Sequence, residues 1–285
     1  MVRLGLLCFA FFVGTVCGAV AGDTETTAQR IISLGPLNTE NVYLLNAEDL
    51  LIANTIYCVR PPAAKKKEKI GTLLQANIEK IISLRPDLVL ATSLTRPRQI
   101  AKLESLGIKV VQFTQPTSFD EICTQLFDLG RLLGHEDRAQ QIVAEARRAV
   151  DLIRQQTVNL PKKKVFLQVG TRPLFSSVES SFTNDFITFG GGLNIAKGNI
   201  QGIYSREKVV AQDPDLIIIA IMGSEGVSGQ KEKENWMRYP SIAAVQSDNI
   251  RIADPDLVCS PSPLTFVEAL QTITALIHPE IVFDE

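Results

Sequence analysis

Short runs of consecutive apolar residues alternate along the chain with stretches that repeat their apolar positions every three or four residues. "RIISLGP" at Arg30–Pro36, "LLIANTI", "DLVLAT" and "IKVVQF" are runs of the first kind. An apolar run with no polar alternation suits a strand covered on both faces, as in a parallel sheet. Between these runs "NTENVYLL", "NIEKIISLRP", "RPRQIAKLESLG" and "SFDEICTQLFDLGRLLG" carry helical periodicity. Asn38 or Thr39 is expected to cap the first of these helices. Ser118, with Glu121 three residues on, supplies a capping box for the last. The order strand, helix, strand predicts βαβ units and a mainly parallel sheet.

The pattern then changes once. "HEDRAQQIVAEARRAVDLIRQQ" places Ile142, Val143, Ala146, Val150 and Ile153 on one stripe, with no glycine or proline for about twenty residues. Such a helix is roughly 30 Å long. After it the alternation restarts with "KKKVFLQVG", "SFTNDFITFGG", "SREKVVAQDP", "DLIIIAI", "ENWMRYPSIAAVQSD", "NIRIAD" and the closing helix "SPLTFVEALQTITALIHPE". One phrase occurs in both halves: "EKIISLRPDLVLA" from Glu79 and "EKVVAQDPDLIIIA" from Glu207. The predicted fold is α/β, with two lobes, each a mainly parallel sheet flanked by helices, joined by one long helix. The expected divisions are residues 22–134 for the first lobe, 135–158 for the linking helix and 159–285 for the second lobe.

The first residues read differently. "MVRLGLLCFAFFVGTVCGAVAGD" has one arginine, an apolar run and Ala19-Val20-Ala21, the pattern of a cleavable secretory leader over residues 1–21. Export to the periplasm is the resulting expectation. Cys8 and Cys17 belong to this segment. Cys58, Cys123 and Cys259 remain, which allows at most one bridge. Cys123 falls on the apolar side of a helix and is expected in the core. The 285 residues carry a net charge of -2 and no basic stripe, which argues against a nucleic-acid partner.

Catalytic chemistry is sparse. The two histidines, His135 and His278, stand apart and read as surface residues, so no site for a free metal ion is expected. "FGGGLNIA" follows a helix and so reads as a helix end, without a phosphate loop's context. No G-x-S-x-G elbow is present. A binding role at the crevice between two lobes, where α/β sheets present their carboxyl ends, is left as the expectation.

Several segments carry a resemblance. "RIISLGPLNTE", "YCVRPPAA", "IGTLLQANIEKIISLRPDLVLAT", "LESLGIKVV", "KKKVFLQVGTRPLF", "GGGLNIA" and "SREKVVAQDPDLIII" resemble the class III, helical-backbone substrate-binding proteins of ABC importers. This is the family for cobalamin, ferric siderophores and haem. "VFLQVGTRPLF" and "SREKV" stand nearest its cobalamin-binding member. The resemblance implies a monomeric, non-enzymatic protein without a cofactor, which captures a metal chelate and hands it to a dimeric permease. A corrinoid is favoured, with ferric siderophore or haem next. An exported enzyme or chelatase, or a receptor-type sensor, on the same fold is the alternative.

By motif matching, Tyr57 and Phe175 fall on cleft aromatics, and Arg60 and Arg172 beside them are candidates to meet acidic groups of the ligand. Leu73 and about Gln201 fall where the cobalamin binder has tryptophans, and the single tryptophan, Trp236, lies in a later charged helix. Cys58 and Cys259 are placed on opposite sides of the cleft, either as a pair able to ligate or bridge or as two inert side chains. Glu79 and Glu207 match the glutamates with which the family's two lobes meet permease arginines. In both phrases the proline and leucine have structural reasons: proline stops the short helix and leucine begins the buried strand.

Overall fold

The computed structural model describes residues 28–199, 201–222 and 227–283; the expected leader lies outside them. The first lobe runs β1 (Ile31–Ser33), α1 (Pro36–Leu44), β2 (Leu51–Asn54), a 3-10 turn over Pro62–Lys66, β3 (Glu68–Lys69), α2 (Ile78–Ser83), β4 (Leu88–Thr92), α3 (Pro97–Glu104), β5 (Lys109–Phe113) and α4 (Phe119–Leu133). The long helix is α5 (Glu136–Thr157). The second lobe follows as β6 (Lys164–Thr171), β7 (Leu174–Ser176), α6 (Phe182–Phe189), β8 (Leu193–Asn194), α7 (Arg206–Gln212), β9 (Leu216–Ile219), α8 (Val227–Trp236), α9 (Ala243–Gln246), β10 (Ile250–Ile252), α10 (Pro255–Cys259) and α11 (Pro263–Ile277).

The first sheet is wholly parallel in the order β3-β2-β1-β4-β5. The second has the order β10-β9-β6-β7, with β8 also beside β6. In it β7 alone runs antiparallel. Strand burial follows the apolar runs: Ile31–Ser33 and Leu216–Ile219 are buried throughout. The long helix buries Ala139, Ile142, Ala146, Val150, Ile153 and Thr157. Its 22 residues span about 33 Å.

The lobes share a core. Phe119 of α4, Ile153 of α5, Phe186 of α6 and Phe266 of α11 belong to one buried cluster. The ring of Phe266 lies 4.6 Å from that of Phe119 and 4.4 Å from that of Phe186, so three stacked aromatics cross the seam. Beside them the Asp185 carboxylate of α6 accepts the N–H of Phe119, the first residue of α4, at 2.8 Å. Burial pushes the Asp185 pKa up, against the Phe119 hydrogen bond that lowers it.

The two copies of the repeated phrase adopt the same structure, and it explains the aspartate. The short helices α2 and α7 are capped by Asn77 and Ser205, and both chains then enter the left-handed region at the residue before proline, Arg85 at φ 49° and Asp213 at φ 48°. A residue preceding proline is disfavoured in the α region, so the helix stops there. The next residue pins the lobe's first strand. Asp87 accepts from the Arg30 N–H at 3.1 Å, and Asp215 accepts from the Lys164 N–H at 2.7 Å. The same two basic residues cap the helix ends: Arg30 donates to the Leu84 carbonyl and Lys164 to that of Gln212.

Two expectations change. Helix α1 starts earlier than expected: Gly35 is its N-cap and Pro36 its first residue. Asn38 and Thr39 are buried inside it, bonded to the Ala91 carbonyl and the Ser33 hydroxyl. Proline at the first helical position is pre-set for the turn, and a Cβ on Gly35 would stand 2.5 Å from the Thr92 side chain. His278 is not a surface residue but 1% exposed, with Nδ1 3.3 Å from Glu280. Closure of the C-terminal helix over the second lobe buries it.

Asp87→Ala and Asp215→Ala should each lower unfolding stability by about 1 kcal/mol, the usual worth of a partly exposed hydrogen bond. The asparagine variants keep an acceptor and should lose less. Urea unfolding of the four variants measures this, and equal losses for Ala and Asn would refute the pinning role.

Candidate functional site

A cavity of about 170 Å3 lies between the lobes. Its walls are the turn into α1 (Gly35–Asn38), Leu73, the loop after β4 (Thr92–Leu94), the segment after β5 (Phe113–Pro116), Met222 after β9, and Cys259–Pro261 at the end of α10. Nearly all of these stand at carboxyl ends of parallel strands. The first sheet reverses its strand order between β1 and β4, the switch point where such sheets place ligands. A larger hollow of about 450 Å3 lies by the carboxyl end of α5. Its Arg154 is already engaged with Asp151 and the Phe189 ring, and it is remote from the strand ends.

The cavity alone is smaller than the 300–1,000 Å3 typical of ligand pockets. Of the large apolar side chains more than a third exposed, Leu94 and Met222 line this cavity from opposite lobes. Ile56, Tyr57, Val59, Leu74 and Ile203 are exposed outside the regular elements, and Phe175 is exposed on β7. The motif reading named Tyr57 and Phe175 but missed Ile56, Leu94, Ile203 and Met222. The available signal was a large apolar residue in a loop directly after a strand.

Tyr57 stands on a loop with a polar foundation. Lys69 Nζ donates to Asn54 Oδ1 at 2.6 Å and to the Ala64 carbonyl at 3.0 Å, and Asn54 Nδ2 donates to that same carbonyl. Burial lowers the Lys69 pKa, with Cys58 opposing. Tyr57 is thereby presented 52% exposed on a braced loop. Phe175 is seated by glycines. A Cβ on Gly170 or on Gly202 would come within 3.1 or 3.2 Å of its side chain. Gly202 has φ +69°, and its carbonyl accepts the Ser176 N–H. One side of the ring is held by backbone and 36% of the residue stays open.

The other expected residues distribute as follows. Leu73 lines the cavity, Gln201 is exposed, and Arg172 is exposed on the β6–β7 turn. Arg60 points away from solvent and across the lobes: Nη1 donates to the Asp256 carbonyl at 2.7 Å, Nη2 to the Ser260 carbonyl at 2.9 Å, and Nη2 lies 2.9 Å from Glu40. Cys58 is fully buried against the Thr55 hydroxyl, whereas Cys259 is in the cleft wall, its thiol toward the Ala220 carbonyl. Burial, with Asp256 and Asp254 adding, pushes the Cys259 thiol up to about 12. Trp236 is fully buried. Its indole N–H donates to Gln168, and Arg206, ion-paired with Glu232, lies 4.4 Å over its ring. Among the described residues no three His, Cys, Asp or Glu side chains are grouped to hold a metal ion.

Glu79 and Glu207 are exposed at the second position of α2 and α7. The Glu207 pKa is lowered by its own backbone N–H first and the Ser205 hydroxyl next. Their anchoring differs. Arg206, beside Glu207, enters the buried Trp236–Glu232–Gln168 network, while Lys80, beside Glu79, pairs at the surface with Glu68.

A sequence profile of the family described as periplasmic binding protein matches residues 31–257. A vitamin B12-binding protein of Yersinia pseudotuberculosis serotype O:3 is 34% identical over 244 residues, 83% of this chain and 85% of that protein. Among solved structures, the periplasmic vitamin B12 binding protein BtuF of Vibrio cholerae superposes with a TM-score of 0.74 at 26% identity, over 88% of this chain and 97% of its own. A periplasmic heme binding protein from Pseudomonas aeruginosa shares the fold, with a TM-score of 0.77 at 23% identity over 90% of this chain and 94% of its own.

A thiolate is the reactive form of cysteine, so the burial of Cys58 and Cys123 and the raised pKa of the half-buried Cys259 predict slow alkylation. In the folded protein at pH 8 none of Cys58, Cys123 and Cys259 should react with iodoacetamide within minutes, and all three should react in denaturant. Rapid labelling of Cys259 would show an accessible thiolate in the cleft.

Proposed function

The chain belongs to the periplasmic binding protein family, and from that premise we propose that it captures a metal chelate of the cobalamin type and delivers it to an ABC importer. The observation that carries this reading is the interlobe cavity with its apolar side chains from both lobes, Leu73, Leu94, Phe113, Phe182 and Met222. A flat macrocycle offers two wide faces, and rigid aromatic and aliphatic side chains cover them at low entropic cost. The metal arrives already coordinated, so the cleft needs contact area and not ligating side chains. Tyr57 and Phe175 are the aromatic anchors. Leu73 and Leu94 add aliphatic surface, and Arg172 is the cation available to an acidic edge of the ligand. A binding role without catalysis, a periplasmic location reached through a cleaved leader, and a monomer serving a permease dimer complete the proposal. Glu79 and Glu207 serve as the docking charges. Like-charged knobs on equivalent helices of two similar lobes can address two identical subunits at once. Charges of this kind mainly set orientation and association rate.

Cyanocobalamin should bind with Kd of about 1 μM or tighter, worth about -8 kcal/mol. Hemin and a ferric siderophore are run beside it, and visible absorbance reports each. Tyr57→Ala and Phe175→Ala should each weaken binding by about 1–3 kcal/mol without loss of fold. Tight binding of bare zinc, manganese or iron, with none of any chelate, would overturn the reading.

The docking role separates from capture. Glu79→Lys with Glu207→Lys should leave ligand affinity unchanged and stop uptake in cells that carry the cognate permease. Normal uptake by the double variant would reduce both glutamates to helix-start residues, where negative charge is worth a few tenths of a kcal/mol.

A further inference from the structure

Arg60 is bonded on three sides by groups that belong to different parts of the molecule. Its side chain is 25% exposed and its partner Glu40 8% exposed. The bonded carbonyls are those of Asp256, the second residue of the five-residue α10, and Ser260, its C-cap, both in the opposite lobe. Carbonyls at a helix end lack partners within the helix and carry its negative pole, so a guanidinium fork there is well placed. Glu40 is on α1 of the first lobe. Its Oε1 accepts at 3.2 Å from Thr265 Oγ1, which belongs to the capping box of α11 with Ser262. The carboxylate therefore sits between Arg60 and the positive end of a second-lobe helix, where negative charge is stabilised. The contacts span 196 and 200 residues of sequence.

Arg60 stands three residues after Tyr57, and Ser260 adjoins Cys259 in the cavity wall. We propose that Arg60 is a positioning residue, a latch that ties the Tyr57 loop to the α10 wall and fixes the width of the cleft at that end. Both terminal nitrogens are engaged inside the protein, which assigns the fork to the seam and not to an acidic group of the ligand. The latch deepens the capture reading: with Tyr57 held at a set distance from the opposite wall, bound ligand is released slowly. The geometry itself stands whatever the ligand.

Spin labels at Lys102 on α3 and Lys208 on α7, both exposed, report the separation of the lobes by pulsed electron paramagnetic resonance without ligand. The otherwise native protein should give one narrow distance. Arg60→Met should broaden or lengthen it, Glu40→Gln should do so less, and Arg60→Lys, which keeps the charge but not the fork, should restore it in part. Arg147→Met, which breaks an exposed pair with Asp120, is the control and should change nothing. Circular dichroism confirms that each variant is folded. In stopped-flow measurements with cyanocobalamin, Arg60→Met should raise the dissociation rate about tenfold, as expected when a buried charge pair is cut. An unchanged distance distribution in Arg60→Met would overturn the latch, and if affinity were lost with it unchanged, Arg60 would be a ligand contact. If cyanocobalamin does not bind the native protein, the ligand reading fails while the distance measurement still decides the latch.

Discussion

The stacked rings of Phe119, Phe266 and Phe186 are the constraint on which the cleft depends. They come from three helices, and the cluster they join also takes in the stripe of α5. The lobes are therefore not two bodies on a string. Prising them apart would expose aromatic surface. At roughly 25 cal/mol per Å2, even 100 Å2 costs about 2.5 kcal/mol, some four times the thermal energy. That is enough to confine motion to small angles. Asp185 adds a hydrogen bond to the seam but costs something to keep ionised there, since burial raises its pKa. The folded protein therefore holds its proton to higher pH than the unfolded chain does. Its contribution favours folding at acid pH and is lost as pH rises through the folded value.

Above that floor the two lobes solve the same local problem with different residues. Each starts its first strand with a basic residue that caps a short helix, and each pins that strand with the aspartate after proline. The exposed glutamate of each phrase occupies the same position on its helix. The surroundings of the two helices differ, beginning with the residue before the glutamate, Ile78 in one and Arg206 in the other. Arg206 is locked under Trp236, whereas Lys80 pairs at the surface. One rim helix is thus fixed by a buried network and the other by an ion pair that salt can screen.

Periodicity and turn chemistry carried most of the fold. Apolar runs became strands, the uninterrupted stripe became the long helix, and Ser118 became a cap. Where local rules failed, tertiary contact had decided. Asn38 and Thr39 look like caps, but Pro36 starts the helix first and the sheet absorbs their side chains. His278 looks exposed because it follows the last helix, yet that helix closes over it. Of the residues named for the site from the sequence, Leu73 and Cys259 line the interlobe cavity. Leu94 and Met222 belong to no local motif, since apolar residues in loops acquire meaning only when two lobes face each other. The destination of Arg60 was the least accessible, because its partners lie about two hundred residues away and two of them are carbonyl oxygens that no sequence pattern marks.

That destination bears on how capture and docking would differ physically. With Arg60 committed to the latch, the cleft presents apolar area and little free charge, so on the proposed reading ligand affinity rests on surface removed from water. Such a contribution is insensitive to moderate salt and grows with the excluded salts that strengthen burial. Docking through Glu79 and Glu207, as proposed, would rest on exposed charges, which added salt screens over a Debye length of about 8 Å at physiological strength. On the proposed reading moderate salt would therefore weaken docking and leave capture little changed.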